Sequence, residues 1–179
     1  MIEKQILNCD EINQIINKFS KKIYEEIDDS HKFGIVGIQT RGIELGIRIR
    51  KNIEQLCGNP ISYGILDISF YRDDLTTKGV LPVIKETRIE FNISKMTILL
   101  VDDVIFTGRT TKAALDTLTS FGRPRAIKLF SLIDRGNREL PIQPDYFGYR
   151  IKTKVTDKIK VRIKEVDNVE DSVLLYRNV

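Results

Sequence analysis

Two adjacent carboxylates, Asp102 and Asp103, follow an apolar run in the segment ILLVDDVIFTGRT (residues 98–110), and Thr107-Gly108-Arg109-Thr110 closes it where a helical pattern begins. Side chains at the carboxyl edge of a buried parallel strand project into the ligand crevice. Amide N–H groups and hydroxyls at a helix start converge on one point, with the positive end of the helix dipole behind them. Such a cup suits a phosphate, and Gly108 lets the backbone approach it without an intruding Cβ. The acids would repel a bare polyphosphate. They suit a ligand that offers hydroxyls to the carboxylates and phosphate to the cup, and a ribose 5-phosphate has that layout. A divalent ion held there would be oxygen-coordinated, which points to Mg²⁺. Taken separately, Asp-Asp reads as a strand-ending turn and TGRT as a helix cap; the order and spacing make them a site.

The rest of the composition removes competing chemistries. Cys9 and Cys57 are far apart and His31 is the single histidine, which argues against a disulfide framework, a paired-cysteine zinc site and a histidine-based triad. Lys and Arg number 29 against 25 Asp and Glu, so the net charge is +4 and the pI about 9.0. This small excess fits phosphorylated ligands or RNA, and equally a solvated surface. No apolar run approaches the roughly 20 residues of a membrane span, and the first ten residues lack a signal-peptide pattern. A soluble cytoplasmic protein is expected. With 179 residues, 41% of them hydrophobic and 30% charged, a single domain with its own core is expected.

The elements that must position the acids follow from periodicity. Ile12, Ile15, Ile16, Phe19, Ile23 and Ile27 recur at helical spacing over residues 10–28, with Asp10 as the expected N-cap. FGIVGI (33–38) reads as a strand covered on both faces, a helix is expected over 43–56 with Gly58 and Pro60 as its stop, and 61–71 reads as a strand. Residues 72–95 lose periodicity and are expected to form a long functional loop, with room for a short hairpin. A strand at 96–101, a helix at 110–121 and a strand at 126–133 follow, then a polar stretch and shorter or edge strands to the end. Alternating strands and helices with continuous apolar strands predict an α/β fold, a mainly parallel sheet with helices on both faces.

The 98–110 segment resembles the PRPP-binding signature of the type I phosphoribosyltransferases, PRPP being 5-phosphoribosyl 1-diphosphate. GIQTRG (37–42), DISFYRDDL (67–75) and DRGNRELPIQPDY (134–146) extend the likeness to nearly the whole chain and resemble the PyrR proteins, pyrimidine operon attenuation regulators with uracil phosphoribosyltransferase activity. The resemblance implies the type I fold with a small hood and a flexible loop, the hood built from N-terminal residues and the segment after about residue 134. It places Thr40, Arg41 and Gly42 in the pyrophosphate loop, where the family often holds a non-proline cis peptide. Arg72, with Asp73 and Asp74, begins the loop that closes over PRPP. Asp102 and Asp103 match the ribose acids, Thr107, Gly108, Arg109 and Thr110 the 5-phosphate loop, and Asp134 and Arg135 open the hood over the base. The implied catalytic set is Asp102, Asp103, Arg41 and Arg72, with Mg²⁺ as cofactor and no direct protein ligand to it assigned. PRPP, uracil and UMP or UTP are the implied ligands, and a homodimer or larger homo-oligomer the implied assembly.

The resemblance also implies binding to the leader RNA through a basic face that includes the first helix and the hood, here Lys18, Lys21, Lys22 and Arg138. Asn137, Gln143 and Tyr149 stand where histidine, arginine and lysine are usual, and Asn17, Lys18 and Lys21 where Thr, Arg and His are common. Glutamine cannot supply arginine's charge or its bidentate contacts, so the change weakens this face. Two other readings stay open: an RNA-binding attenuator with little catalysis, and a purine-base phosphoribosyltransferase, since the PRPP site does not select the base.

Overall fold

In the computed structural model, which describes residues 2–28, 32–68 and 87–177, an asparagine separates the first strand from the first helix. Strand β1 (Ile2–Leu7) ends at Asn8, the N-cap of α1 (Cys9–Glu25). The Asn8 carboxamide accepts the Glu11 amide at 2.9 Å, and Glu11 accepts the Asn8 amide at 2.8 Å. This reciprocal box satisfies two orphan donors, so the helix starts earlier than an Asp10 cap would have it. Asp10 instead places its charge in the first turn. Strand β1 was not expected from the sequence.

Strand β2 (Phe33–Ile38) is buried throughout and leads into α2 (Arg41–Cys57), which ends on Gly58 in the left-handed region at φ 69°. Next come β3 (Ser62–Leu66), β4 (Thr97–Ile105), α3 (Arg109–Thr119), β5 (Ala126–Asp134) and β6 (Tyr146–Arg150). The five strands β3-β2-β4-β5-β6 form one sheet, and every pairing in it is parallel. Ile35, Leu99, Val101 and Phe130 pack against α1 and α2 on one face; Val36, Ile98, Leu100 and Leu129 pack against α3 on the other. Alternate side chains of each strand thus bury against different helices, which is why the strands read as continuous apolar runs.

Three expectations shift. Strand β3 stops at Leu66, with Asp67 turning to the Thr87 hydroxyl, and residues 69–71 lie outside the described residues. Strand β4 runs on through Asp102 and Asp103 to Ile105, because β5 continues beside it to the pair Ile105↔Asp134. From the expected loop, the described residues return along β3 through a single antiparallel bridge, Ile65↔Arg88, and bury Ile93.

The chain ends in β7 (Lys158–Arg162), the one-turn α4 (Lys164–Asp167) and β8 (Ser172–Arg177). Strand β8 lies between β1 and β7 in a separate three-stranded antiparallel sheet. No helix among the described residues is long and apolar enough to cross a membrane.

Candidate active site

The strand order places a reversal between β2 and β4: the connection after β2 leads to β3 on one side, the connection after β4 to β5 on the other. Ligands of open parallel sheets bind at such a switch point, outside the carboxyl ends of the strands. Here those ends carry Thr40, Arg41, Asp102 and Asp103. The last β2–β4 pair is Gly37↔Val101, one residue before the acids. Glycines bring the α2 start against them: a Cβ on Gly42 would lie 2.4 Å from the Val101 carbonyl oxygen, and one on Gly37 2.6 Å from the Ile43 Cα. The Gln39–Thr40 peptide is cis.

A cleft of about 500 Å³ gathers Arg41, Asp102, Asp103, Thr107, Gly108, Arg109 and Thr110, with Ile159, Lys160 and Val161 of β7 as a further wall. The acids and the helix-start cup are therefore brought together with Arg41. Asp102 is buried, and its Oδ1 accepts the Asp103 amide at 2.9 Å. Asp103 does the same for the Val104 amide at 2.9 Å. Each carboxylate is thus oriented by the backbone. Among the described residues no group of three acids, histidines or cysteines could cage a metal. Two adjacent carboxylates fit Mg²⁺ held chiefly by ligand oxygens and water, the usual mode for this ion beside phosphates.

The cup has a conformational requirement. Gly108, the residue before α3, has φ 94°, which disfavours any residue with a Cβ. A Cβ there would meet Leu140 at 3.4 Å and Ile142 at 3.6 Å, and neither lines the cleft. Backbone conformation, not room for a phosphate, is what demands glycine. The Thr107 hydroxyl accepts the Arg109 amide at 3.3 Å, and its carbonyl accepts the Glu139 and Leu140 amides. The Arg109 side chain is turned to Glu139 at 2.7 Å, so Arg109 contributes backbone to the cup.

Arg41 donates from Nε to Asp167 at 3.0 Å and from Nη2 to the same carboxylate at 2.7 Å. That hydrogen bond, joined by the Asp103 and Asp167 charges, raises the Arg41 pKa against the lowering effect of burial, and the same contact with Arg41 holds the Asp167 carboxyl below its ordinary value. Asp167 carried no signal in the sequence; the contact spans 126 residues.

Asp134 and Arg135 have protein partners. Asp134 is buried and accepts the Gly136 amide, Arg138 Nη2 at 2.7 Å and Arg150 Nε at 3.0 Å. Burial pushes its carboxyl up, but the amide and the guanidiniums outweigh this and leave it below the ordinary value. Arg135 stacks on Phe106 at 3.9 Å and donates to Thr153, Lys154 and Asp157. Arg138 donates to Ile142, Phe106 and Gly136 carbonyls besides Asp134, so its guanidinium faces the protein. Lys18, Lys21 and Lys22 are exposed on α1, Lys22 lying 5.6 Å from the Tyr146 ring. Asn137 has φ 56°, a conformation that Asn and His both tolerate better than most residues. Arg72, Asp73, Asp74 and His31 lie outside the described residues.

Comparison with known proteins agrees with this geometry. Residues 3–167 match the phosphoribosyl transferase domain family. A protein of Roseiflexus sp. (strain RS-1) named bifunctional protein PyrR is 45% identical over 177 residues, covering 99% of this chain and 97% of that protein. The bifunctional protein PyrR of Thermus thermophilus is 44% identical over 172 residues, covering 96% and 94%. Among solved structures, the hypoxanthine phosphoribosyltransferase of Trypanosoma cruzi superposes with a TM-score of 0.73 at 14% identity, covering 97% of this chain and 96% of that one; this likeness establishes the fold alone.

Proposed function

Because the chain belongs to the PyrR family of phosphoribosyl transferase domain proteins, we propose that it is a uracil phosphoribosyltransferase, converting uracil and PRPP to UMP and pyrophosphate, that also binds RNA. The carrying observation is one cleft that unites two backbone-oriented aspartates, the helix-start cup and Arg41. In this reading the first-turn amides of α3 and the Thr107 to Thr111 segment hold the 5-phosphate, and Asp102 and Asp103 accept from the ribose hydroxyls. The bond from the anomeric carbon to pyrophosphate breaks as the bond to uracil nitrogen forms, and uracil gives up its N–H proton to solvent water. Positive charge gathers on the sugar and negative charge on the leaving group. Fixed charges that match this distribution, held in place before the reaction, lower the barrier without a covalent nucleophile. The aspartates favour the cationic sugar, and Arg41 receives the departing diphosphate. Mg²⁺, when bound beside Asp102 and Asp103, neutralises the diphosphate.

The small sheet of β1, β8 and β7 acts as the hood over the base, with Ile159 and Val161 offering an apolar wall. Arg135 supports that wall from beneath through its contacts with the turn before β7, while Asp134 fixes the 134–138 loop through Arg138 and Arg150. RNA is assigned to the exposed lysines of α1 and to Arg150, which lies 4.0 Å over Phe147; Arg138 supports this face from inside.

The decisive experiment incubates the protein with PRPP, Mg²⁺ and uracil, hypoxanthine, guanine or orotate in turn while pyrophosphate is followed. Release with uracil alone is expected. Release with a purine base in preference to uracil overturns the assignment.

A further inference from the structure

We propose that Asp167, in the small sheet's single-turn helix, is a positioning residue for the pyrophosphate subsite, holding Arg41 by one edge so that its other edge meets the diphosphate. The inference rests on the reading of Arg41 given above and adds a residue from the other end of the chain. A guanidinium carries five N–H donors in a rigid plane. Asp167 takes the Nε–H and one Nη2–H. Among the described residues both Nη1 hydrogens and the second Nη2 hydrogen remain without a hydrogen-bond acceptor, and the arginine lines the cleft together with Asp103. An arginine held in this way presents a second bidentate edge, whereas a lysine could not serve two anions with fixed geometry.

The carboxylate is itself fixed. Asp167 Oδ2 accepts the Ile163 amide at 2.8 Å, so the acid is oriented before Arg41 reaches it. The pair is sheltered, with side-chain exposures of 28% for Arg41 and 17% for Asp167, which sets it apart from a solvated surface ion pair. Docking of α4 onto α2 does not depend on it. Arg48 already joins the same two elements through Glu165 at 2.6 Å, and it also pairs with Asp171 in the segment between α4 and β8. The second bridge is placed at the cleft, where the first residue of α2 enters it.

The test separates the two halves of the substrate. UMP fills the ribose-phosphate half, and inorganic pyrophosphate with Mg²⁺ fills the other. Calorimetry of UMP and the KM for pyrophosphate in the reverse reaction are measured for wild type, Asp167→Asn, Asp167→Glu and Glu165→Gln. Asp167→Asn is expected to raise the pyrophosphate KM about tenfold through lost orientation, while UMP affinity stays near wild type. Asp167→Glu restores part of the loss, and Glu165→Gln lowers stability without moving the pyrophosphate KM. Should Asp167→Asn fail to fold, Arg41→Lys is expected to show the same selective loss. A wild-type pyrophosphate KM in Asp167→Asn, or in Arg41→Lys where that stands in for it, overturns the inference; so does an equal weakening of UMP and pyrophosphate. A wild-type protein that binds neither ligand overturns the function itself.

Discussion

At the scale of single residues, the two adjacent aspartates carry different burdens. Asp102 is buried, with its Oδ1 on the following amide, while Asp103 is half-buried at the cleft beside Arg41. Asp103→Asn keeps the shape and the acceptor for the Val104 amide but removes the charge that favours a cationic sugar. Turnover is expected to fall at least about tenfold, measured as pyrophosphate release at saturating uracil and PRPP; near-normal release sinks this role for Asp103. These acids and the Thr-Gly-x-Thr cup were legible in the sequence because a strand, a turn and a helix start are local, and their chemistry is fixed within a dozen residues. Asp167 was not legible. Its meaning depends on Arg41, 126 residues away, and a lone Lys-Glu-Val-Asp carries no chemistry until the fold brings it to that arginine. Gly108 was legible as a required glycine, though for its φ of 94° rather than for clearance around a phosphate.

At the scale of elements, the parallel sheet was readable because its strands are apolar on both faces, and the strand ends were less so. Strand β4 outruns its apolar core because β5 pairs with it as far as Asp134, so the acids sit within a strand that the polarity of Asp-Asp conceals. Strand β1 was hidden for another reason: its partner is β8, at the opposite end of the chain, and a short six-residue edge shows little pattern of its own. The end of β5 carries the network of Asp134 with Arg138 and Arg150, which ties the 134–138 loop to β6. Asp134→Asn leaves the largely buried Arg138 without its anion and is expected to cost about 3 kcal/mol in urea denaturation at pH 7. The pH dependence has a definite sign. Burial raises the Asp134 and Asp171 carboxyls, but the amides and arginines that contact them outweigh it, so both titrate lower folded than unfolded. Their contribution is present above the unfolded carboxylate range near pH 4 and is lost as pH falls through the lower folded values. The urea midpoint is expected to hold from pH 7 to about 5 and drop below about 4, with a shallower acid limb in Asp134→Asn; an unchanged limb counts against the network.

At the scale of the whole molecule, the ligand cleft and the basic helix face are joined through the protein interior. Arg138 donates to the Phe106 carbonyl, one residue before the cup, and to Asp134, which also holds Arg150 on the strand that α1 packs against. The Gly148 position of that strand lies close under Ile15 of α1, and Lys22 lies over its Tyr146 ring. A nucleotide phosphate that tightens the 107–111 segment therefore acts on residues contiguous with the proposed RNA face. Binding linkage is reciprocal: whatever factor UMP adds to RNA affinity, RNA must add to UMP affinity. Filter binding of the leader RNA with and without UMP, beside UMP calorimetry with and without RNA, should give the same factor. Because phosphate contacts release counterions, replacing Lys18, Lys21 and Lys22 by alanine should flatten the slope of log affinity against log salt by about 2 to 3. Micromolar or weaker binding that ignores UMP would leave the molecule an enzyme with a solvated basic helix. Nanomolar, UMP-responsive binding that keeps its full salt slope without the three lysines would move the RNA to another face.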